Sequence, residues 1–144
     1  MLVQFTVRPG QGEASGFDLG DMQWTGELGE SGSAGQSPDQ GMMIYPSVTQ
    51  LLDYLGNLFA GRTQVGVYTG TDTSFKLTFR RIKEGISVAG PSGPLSLLPP
   101  DELAGTVLSA AEELARTHLG SLPSDGVADD YLAALNDFRL LVAP

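Results

Sequence analysis

The chain has 144 residues, of which 41% are apolar, and a formal net charge of −9 at pH 7. This length and apolar content suffice for one domain with a single core. The negative charge argues against binding to nucleic acid or to an anionic membrane. The lack of cysteine excludes disulfides, thiolate nucleophiles and cysteine-ligated zinc. No apolar stretch approaches the about 20 residues that span a bilayer, so we expect a soluble cytoplasmic protein.

Polar loops and short strands make up the start of the chain. Residues Leu2–Arg8 alternate apolar and polar side chains, which is typical of a strand and not of a signal peptide. A second strand is predicted over Met22–Leu28. The segment 29–41 has no large apolar side chain to offset the entropy of ordering, and we therefore predict a mobile loop.

The next predicted elements are a strand over Met42–Tyr45 and a helix over Val48–Ala60. Leucines at helical spacing give this helix one apolar face. Ser47 is the predicted N-cap, and Gly61 follows the last helical residue, where glycine commonly ends a helix.

Residues 63–98 have the pattern of an antiparallel meander. Apolar and polar residues alternate through its middle strand, which sets Phe75, Leu77 and Phe79 against Lys76, Thr78 and Arg80. Turns at Glu84-Gly85 and at residues 90–93 lead into two further strands. Because such tight turns leave no room for crossover connections, the strands must run antiparallel.

The last third of the chain is predicted to be helical. One helix begins at Pro99–Glu102 and another follows the turn at residues 122–126. Strands followed by helices are typical of α+β folds. We predict one domain over residues 1–144, with an antiparallel sheet of about six to seven strands and three helices packed mainly on one face.

Motifs for catalysis or cofactor binding are absent from the sequence. His118 is the single histidine, and no Gly-x-Ser-x-Gly, Walker A or Gly-x-Gly-x-x-Gly motif in the required context occurs. The acids between Asp125 and Asp130 lack the spacing of an EF-hand and are expected to cap the last helix. The sequence therefore predicts no catalytic residue, no cofactor and no metal site.

The basic residues are concentrated in one segment. Residues 62–83 carry five basic residues and one acid, a net charge of +4 in a chain of net −9. Lys76 and Arg80 share the outward face of one predicted strand. We expect Trp24 and Tyr68 to point outward from other strands and to complete a candidate binding surface. The alternative is a solvated face whose charges block edge pairing.

Two stretches resemble those of a group of known proteins. Ser74–Arg81 and Leu97–Leu103, with the helix that follows, are similar to segments of small uncharacterised actinobacterial proteins, some of them immunity proteins of polymorphic toxin systems. These stretches cover about a third of the chain. The resemblance implies an acidic protein that binds a toxin directly without catalysis, and it assigns no functional residue.

Three functions remain open at this point. The leading hypothesis is a non-catalytic protein-binding module, of immunity type, with a basic protein partner, because the acidic field attracts such partners. The second is a small-ligand-binding protein that uses the uncovered sheet face and the loop 29–41. The third, a carboxylate-dependent hydrolase, requires two acids in one cleft. Homodimerisation through a sheet edge or face is a further expectation.

Overall fold

The computed structural model describes residues 1–142, which form eight strands and three α-helices. The strands are β1 (Leu2–Val7), β2 (Leu19–Thr25), β3 (Glu30–Gly32), β4 (Met42–Met43), β5 (Val65–Thr69), β6 (Lys76–Ile82), β7 (Gly85–Gly90) and β8 (Gly93–Leu98). The helices are α1 (Ile44–Phe59), α2 (Pro100–His118) and α3 (Val127–Val142), with a 3-10 turn at Leu119–Ser121.

The strands form two four-stranded antiparallel sheets. The first has the order β1-β2-β3, with β4 also paired to β2, and the second has the order β5-β6-β7-β8. The α+β class, the three helices and the antiparallel meander are confirmed, whereas a single sheet of six to seven strands is not. The sheets meet where the β2–β3 hairpin reaches β8, and there Leu28 N–H donates to Leu95 O at 2.9 Å.

The first sheet follows from the alternation at the start of the chain. Val3 pairs with Trp24 and Phe5 with Met22, and all four side chains are buried. The second strand begins at Leu19, three residues before its predicted start, and ends at Thr25. It ends there because the chain turns, with Gly26 N–H donating to Gly29 O at 2.9 Å.

Helix α1 begins four residues earlier than predicted. Its N-cap is Met43 and not Ser47, which lies buried inside the first turn. Ser47 Oγ instead accepts a hydrogen bond from Thr71 N–H at 2.8 Å, so it caps a loop of the second sheet. Pro46 is compatible with this early start because N–H groups in the first turn have no helical partner.

The segment 29–41 is joined to the first sheet at several points. Glu30–Gly32 forms β3 and pairs with β2, although the sequence predicts a loop there. Ser33 is buried and donates through Oγ to Asp21 Oδ1 at 2.7 Å. Arg8 holds the far end by two hydrogen bonds of 2.8 Å to the carboxylate of Asp39. The mobility of the segment stays a prediction.

The core lies between the sheets and the helices. Trp24 sits at its centre, with ring centroids 6.4 Å from Phe5 and 5.8 Å from Phe79. Helix α2 packs against β1 and β7, and α3 packs against α1 and α2. None of the helices within residues 1–142 is long and apolar enough to cross a membrane.

Candidate functional site

Two of the four residues predicted to form a binding surface lie in the core instead. Trp24 is 0% exposed and Tyr68 is 3% exposed, so both predictions of outward orientation are wrong. Trp24 lies on the same side of β2 as Met22, which faces the core. The Tyr68 hydroxyl reaches α1 and donates to Ser47 O at 2.6 Å, which fixes the buried side of β5.

Lys76 and Arg80 are exposed on the solvent side of β6, as predicted. We define the outer face as the solvent-directed positions of β5–β8. Its members include Val65, Val67, Thr69, Lys76, Thr78, Arg80, Ile82, Ser87, Ala89 and Leu97. This face combines two cations with apolar side chains and hydroxyls, and it contains no carboxylate. The predicted site is therefore reduced to a basic, partly apolar sheet surface.

A cleft of about 350 Å³ lies beside the contact between α1 and α3 and is lined by residues of both helices. Small residues on the facing helix surfaces leave this space, and Leu52 and Phe138 form its apolar base. Its lining comprises Leu52, Asp53, Gly56, Asn57, Ala60, Arg62, Ala134, Asp137, Phe138 and Leu141. We call this the α1–α3 cleft.

The carboxylates of Asp53 and Asp137 both line the α1–α3 cleft, and the charge of Asp137 acts on Asp53. Burial, and then the charge of Asp137, raise the pKa of Asp53 above its ordinary value. Within the described part of the chain, neither carboxylate accepts a hydrogen bond or an ion pair from a side chain. Arg62 lines the same cleft, but its guanidinium donates to Asn57 Oδ1 at 3.1 Å. The cleft therefore sets two exposed carboxylates, neither ion-paired within residues 1–142, against one arginine.

A second charged cluster, around Arg8, is fully paired internally. Its guanidinium donates to Asp21 at 2.9 and 3.0 Å and to Asp39 at 2.8 Å. The hydrogen bonds from Arg8 lower the pKa of both carboxylates, and the same bonds raise the pKa of Arg8. Because Arg8 bonds both carboxylates, the cluster fastens the loop to β1 and β2, and every one of its charged groups already has a partner.

A polar groove of about 310 Å³ lies between the first sheet and the β7–β8 turn. Three glutamines and two serines dominate it, with Glu30 as its one acid. The lining residues are Gln23, Glu30, Ser31, Gly32, Ala34, Gln36, Gln40, Pro91 and Ser92. Neutral amides and hydroxyls of this kind can hydrogen-bond an uncharged polar molecule.

Two other polar residues considered in the sequence analysis, His118 and Asp125, lie at helix ends. His118 is the last residue of α2 and is half-buried. Asp125 Oδ1 accepts a hydrogen bond from Val127 N–H at 3.2 Å at the start of α3, as expected for a capping residue. Within residues 1–142, no three or more histidine or acidic side chains converge closely enough to hold a metal ion.

Sequence reasoning missed Asp53 and Asp137, the two acids that the fold brings together. Each directly adjoins a buried apolar residue of its helix, Leu52 and Phe138 respectively. That position at the edge of an apolar stripe is the available sequence signal, since residues beside a stripe border the helix–helix contact. The pairing of α1 with α3 cannot be read from the pattern of either helix.

Comparison with known proteins adds no family to these observations. The chain matches no protein-family model, and no curated protein or solved structure shows significant similarity to it. The resemblance to immunity-type proteins therefore stays a prediction, and the function has to be argued from the surfaces described above.

Proposed function

We propose that this chain is a non-catalytic protein-binding module whose basic partner docks on the α1–α3 cleft. One observation supports the proposal: Asp53 and Asp137 lie in one cleft, and neither forms an ion pair within residues 1–142. A lysine or arginine side chain of the partner would supply a cation to these two acids, since Arg62 of the same cleft is hydrogen-bonded to Asn57. An immunity protein that binds a basic toxin would be one form of this function.

The chemistry of the cleft suits a cationic side chain. Its volume of about 350 Å³ is ample for a guanidinium or an ammonium group. Guanidinium binds carboxylates through two parallel hydrogen bonds, which gives both strength and orientation. A bound cation would also remove the repulsion that contributes to the raised pKa of Asp53. Binding should therefore be accompanied by release of a proton at pH values where Asp53 is partly protonated.

Apolar side chains near the cleft provide contact area. Leu140 is 78% exposed and Leu141, which lines the cleft, is 44% exposed. Exposed leucines next to charged groups are typical of an interface core with a polar rim. The net charge of −9 adds long-range attraction, which speeds encounter with a basic protein.

The test is a pull-down from host lysate with three forms of the tagged protein, at moderate and then high salt. They are the wild type, the double variant D53N/D137N, and the control E13Q/E27Q, which changes two exposed acids away from the cleft. All variants lose two negative charges, so the control isolates the position of the charges from their number. We expect one stoichiometric basic partner with the wild type and the control, released as salt rises.

Affinity measured with that purified partner completes the test. A docked partner would desolvate both carboxylates, which are exposed in the free protein. D53N/D137N should then bind at least about thirtyfold more weakly, since removing one side of a desolvated charge pair costs about 2 kcal/mol or more. Equal affinity of all three forms would refute docking in the cleft. Failure of the wild type to retain any stoichiometric partner would refute the protein-binding function.

The same cleft gives the hydrolase hypothesis its one supporting feature. Two carboxylates, one with a raised pKa, are the groups that general acid–base catalysis uses. A hydrolase would lose kcat in D53N while the protein stayed folded. Hydrolysis of a panel of chromogenic glycosides and esters by the wild type, abolished in D53N, would replace the proposed function with this one.

The polar groove supports small-ligand binding as a second candidate function. It lies between residues of the segment 29–41 and strand β2, and the sequence-based hypothesis likewise combined that segment with a sheet face. A thermal-shift screen of uncharged polar compounds tests this candidate. A hit should raise the Tm of the wild type and leave Gln23→Ala unaffected, whereas equal shifts would locate the ligand elsewhere.

A further inference from the structure

The open edge of β5 is a second interaction surface, independent of the α1–α3 cleft. β5 is the terminal strand of its sheet, with β6 on one side and α1 packed below. Its residues Val65, Val67 and Thr69 are exposed, the two valines by 47% and 57%. Within residues 1–142, no strand pairs with its other side.

The hydrogen-bond register shows which backbone groups of β5 are free. Arg81 N–H donates to Gln64 O at 2.6 Å and Gly70 N–H donates to Phe75 O at 3.1 Å, one bond at each end of the strand. In an antiparallel pair, residues alternate between those bonded to the partner strand and those directed away from it. The N–H and C=O groups of Val65, Val67 and Thr69 therefore point away from β6.

Over Val65–Thr69 this edge lacks the features that usually prevent strand addition. Beyond it, Thr71 N–H donates to Ser47 Oγ at 2.8 Å and Thr71 O accepts from Met43 N–H at 3.1 Å, so an added strand would have to end at Thr69. Proteins protect exposed edges with charged side chains, proline, bulges or a covering element. β5 has the sequence Val-Gly-Val-Tyr-Thr, without a charge or a proline, and its pairing with β6 is regular. By contrast, the edge of β8 is contacted by the β2–β3 hairpin through the hydrogen bond from Leu28 to Leu95.

The charge beside the edge determines the chemistry of its partner. On the outer face, Lys76 is directly opposite Thr69 and Arg80 is directly opposite Val65. A strand added to β5 would lie about 9.5 Å from β6, two strand spacings away, within reach of long basic side chains that meet acidic ones. Since the outer face has no carboxylate of its own, acids on the added strand would find unpaired cations.

We propose that β5 binds an extended acidic segment of a partner protein as an added strand. The segment would place aspartate or glutamate at alternate positions above the outer face and apolar side chains below. A second copy of this chain suits the edge less well. Pairing of β5 with its own copy would bring four cations from Lys76 and Arg80 onto one face without an acid.

The probe is a blocked ten-residue peptide in which glutamate alternates with valine or threonine, with the lysine-for-glutamate peptide as its control. Amide hydrogen exchange and chemical shifts of the 15N-labelled protein report the contact. We expect protection at the amides of Val65, Val67 and Thr69 with the glutamate peptide and not with the lysine peptide. Absence of protection, or equal protection by both peptides, would overturn the proposal.

Two variants locate the contact. V67P removes an N–H that points away from β6, which an edge strand tolerates, and it should abolish peptide binding. K76E/R80E keeps all backbone groups and should weaken the glutamate peptide at least about fivefold while strengthening the lysine peptide, as expected for exchanging surface ion pairs. An unchanged preference in K76E/R80E would contradict the predicted role of these cations.

Two controls separate this proposal from its rivals. D53N/D137N should bind the glutamate peptide like the wild type, because the edge inference does not depend on the cleft. Light scattering of the protein alone tests the second copy as occupant. A dimer whose formation protects the amides of Val65 and Val67, and which V67P dissociates, would overturn the acidic partner and assign the edge to self-association.

Discussion

The junction between the two sheets rests on a glycine at position 26. A Cβ built there would lie 2.7 Å from the carbonyl carbon of Leu95 and 2.9 Å from Ser96 Cβ, whereas ordinary contacts begin at 3.4 Å. Alanine therefore forces the β2–β3 hairpin away from β8 by half an ångström or more. The hydrogen bond from Leu28 to Leu95, now 2.9 Å, would then exceed normal hydrogen-bond length.

These displacements set the expected loss of stability for G26A. Overpacking costs about 1–3 kcal/mol and the lost hydrogen bond about 1 kcal/mol. The lower entropy of the unfolded alanine chain returns about 0.4–1 kcal/mol. We expect a net decrease of about 1–3 kcal/mol in the free energy of unfolding, together with faster hydrogen exchange at the Leu28 amide.

Urea unfolding followed by the fluorescence of Trp24, the single and fully buried tryptophan, measures this change. The matched control is G105A, because Gly105 lies within α2 with no atom within 4 Å of a built Cβ. That variant should gain about 0.5–1 kcal/mol from helix propensity. A stability of G26A within about 0.5 kcal/mol of the wild type would refute the close approach of hairpin and β8.

Two further predictions concern the carboxyl of Asp53 and the hydroxyl of Tyr68. D53N should be more stable than the wild type at pH 7, because the raised pKa of Asp53 means that folding disfavours its charged form. This advantage should shrink as the pH falls from the raised pKa of the folded state towards the ordinary value near 4, and it should be absent below about 4, where the carboxyl is protonated in both states; a constant difference across urea titrations at several pH values would contradict it. Y68F should lose about 0.5–1.5 kcal/mol with the hydrogen bond to Ser47. Y54F, which removes a buried hydroxyl without a hydrogen-bond partner among residues 1–142, should lose nothing, and equal losses in the two variants would refute this assignment.

Local patterns predicted the elements of this fold better than their faces. The meander of β6–β8 follows from alternation and tight turns, which depend on neighbouring residues alone. In β5, Val65 and Val67 alternate with Gly66 and Tyr68, so apolar residues occur on both faces. Alternation cannot decide between them, and a contact made elsewhere does, the hydrogen bond from Tyr68 to α1.

The division into two sheets could not be predicted from the sequence for a similar reason. It depends on where the β2–β3 hairpin meets β8, and that contact joins Leu28 to Leu95, which are far apart in the sequence. Helix α1 shows the same effect on a smaller scale. Ser47 has the character of an N-cap, but its hydroxyl serves Thr71, and the helix extends past it to Ile44.

Of the candidate surfaces, the sequence located the cations of the outer face but not the two acids of the α1–α3 cleft. Lys76 and Arg80 are close in the chain and share a strand face, so their proximity follows from a period of two. Asp53 and Asp137 come together because α1 packs on α3. The charge that they give the cleft also depends on a third residue, Arg62, which lines the same cleft.

The position of Arg62 determines whether the α1–α3 cleft can accept a partner's cation. If its guanidinium paired with Asp53 or Asp137, an incoming lysine or arginine would have to displace it. Its guanidinium instead donates a hydrogen bond to the neutral side-chain amide of Asn57. Whether Asp53 and Asp137 stay free of an ion pair therefore depends on where the side chain of Arg62 is held.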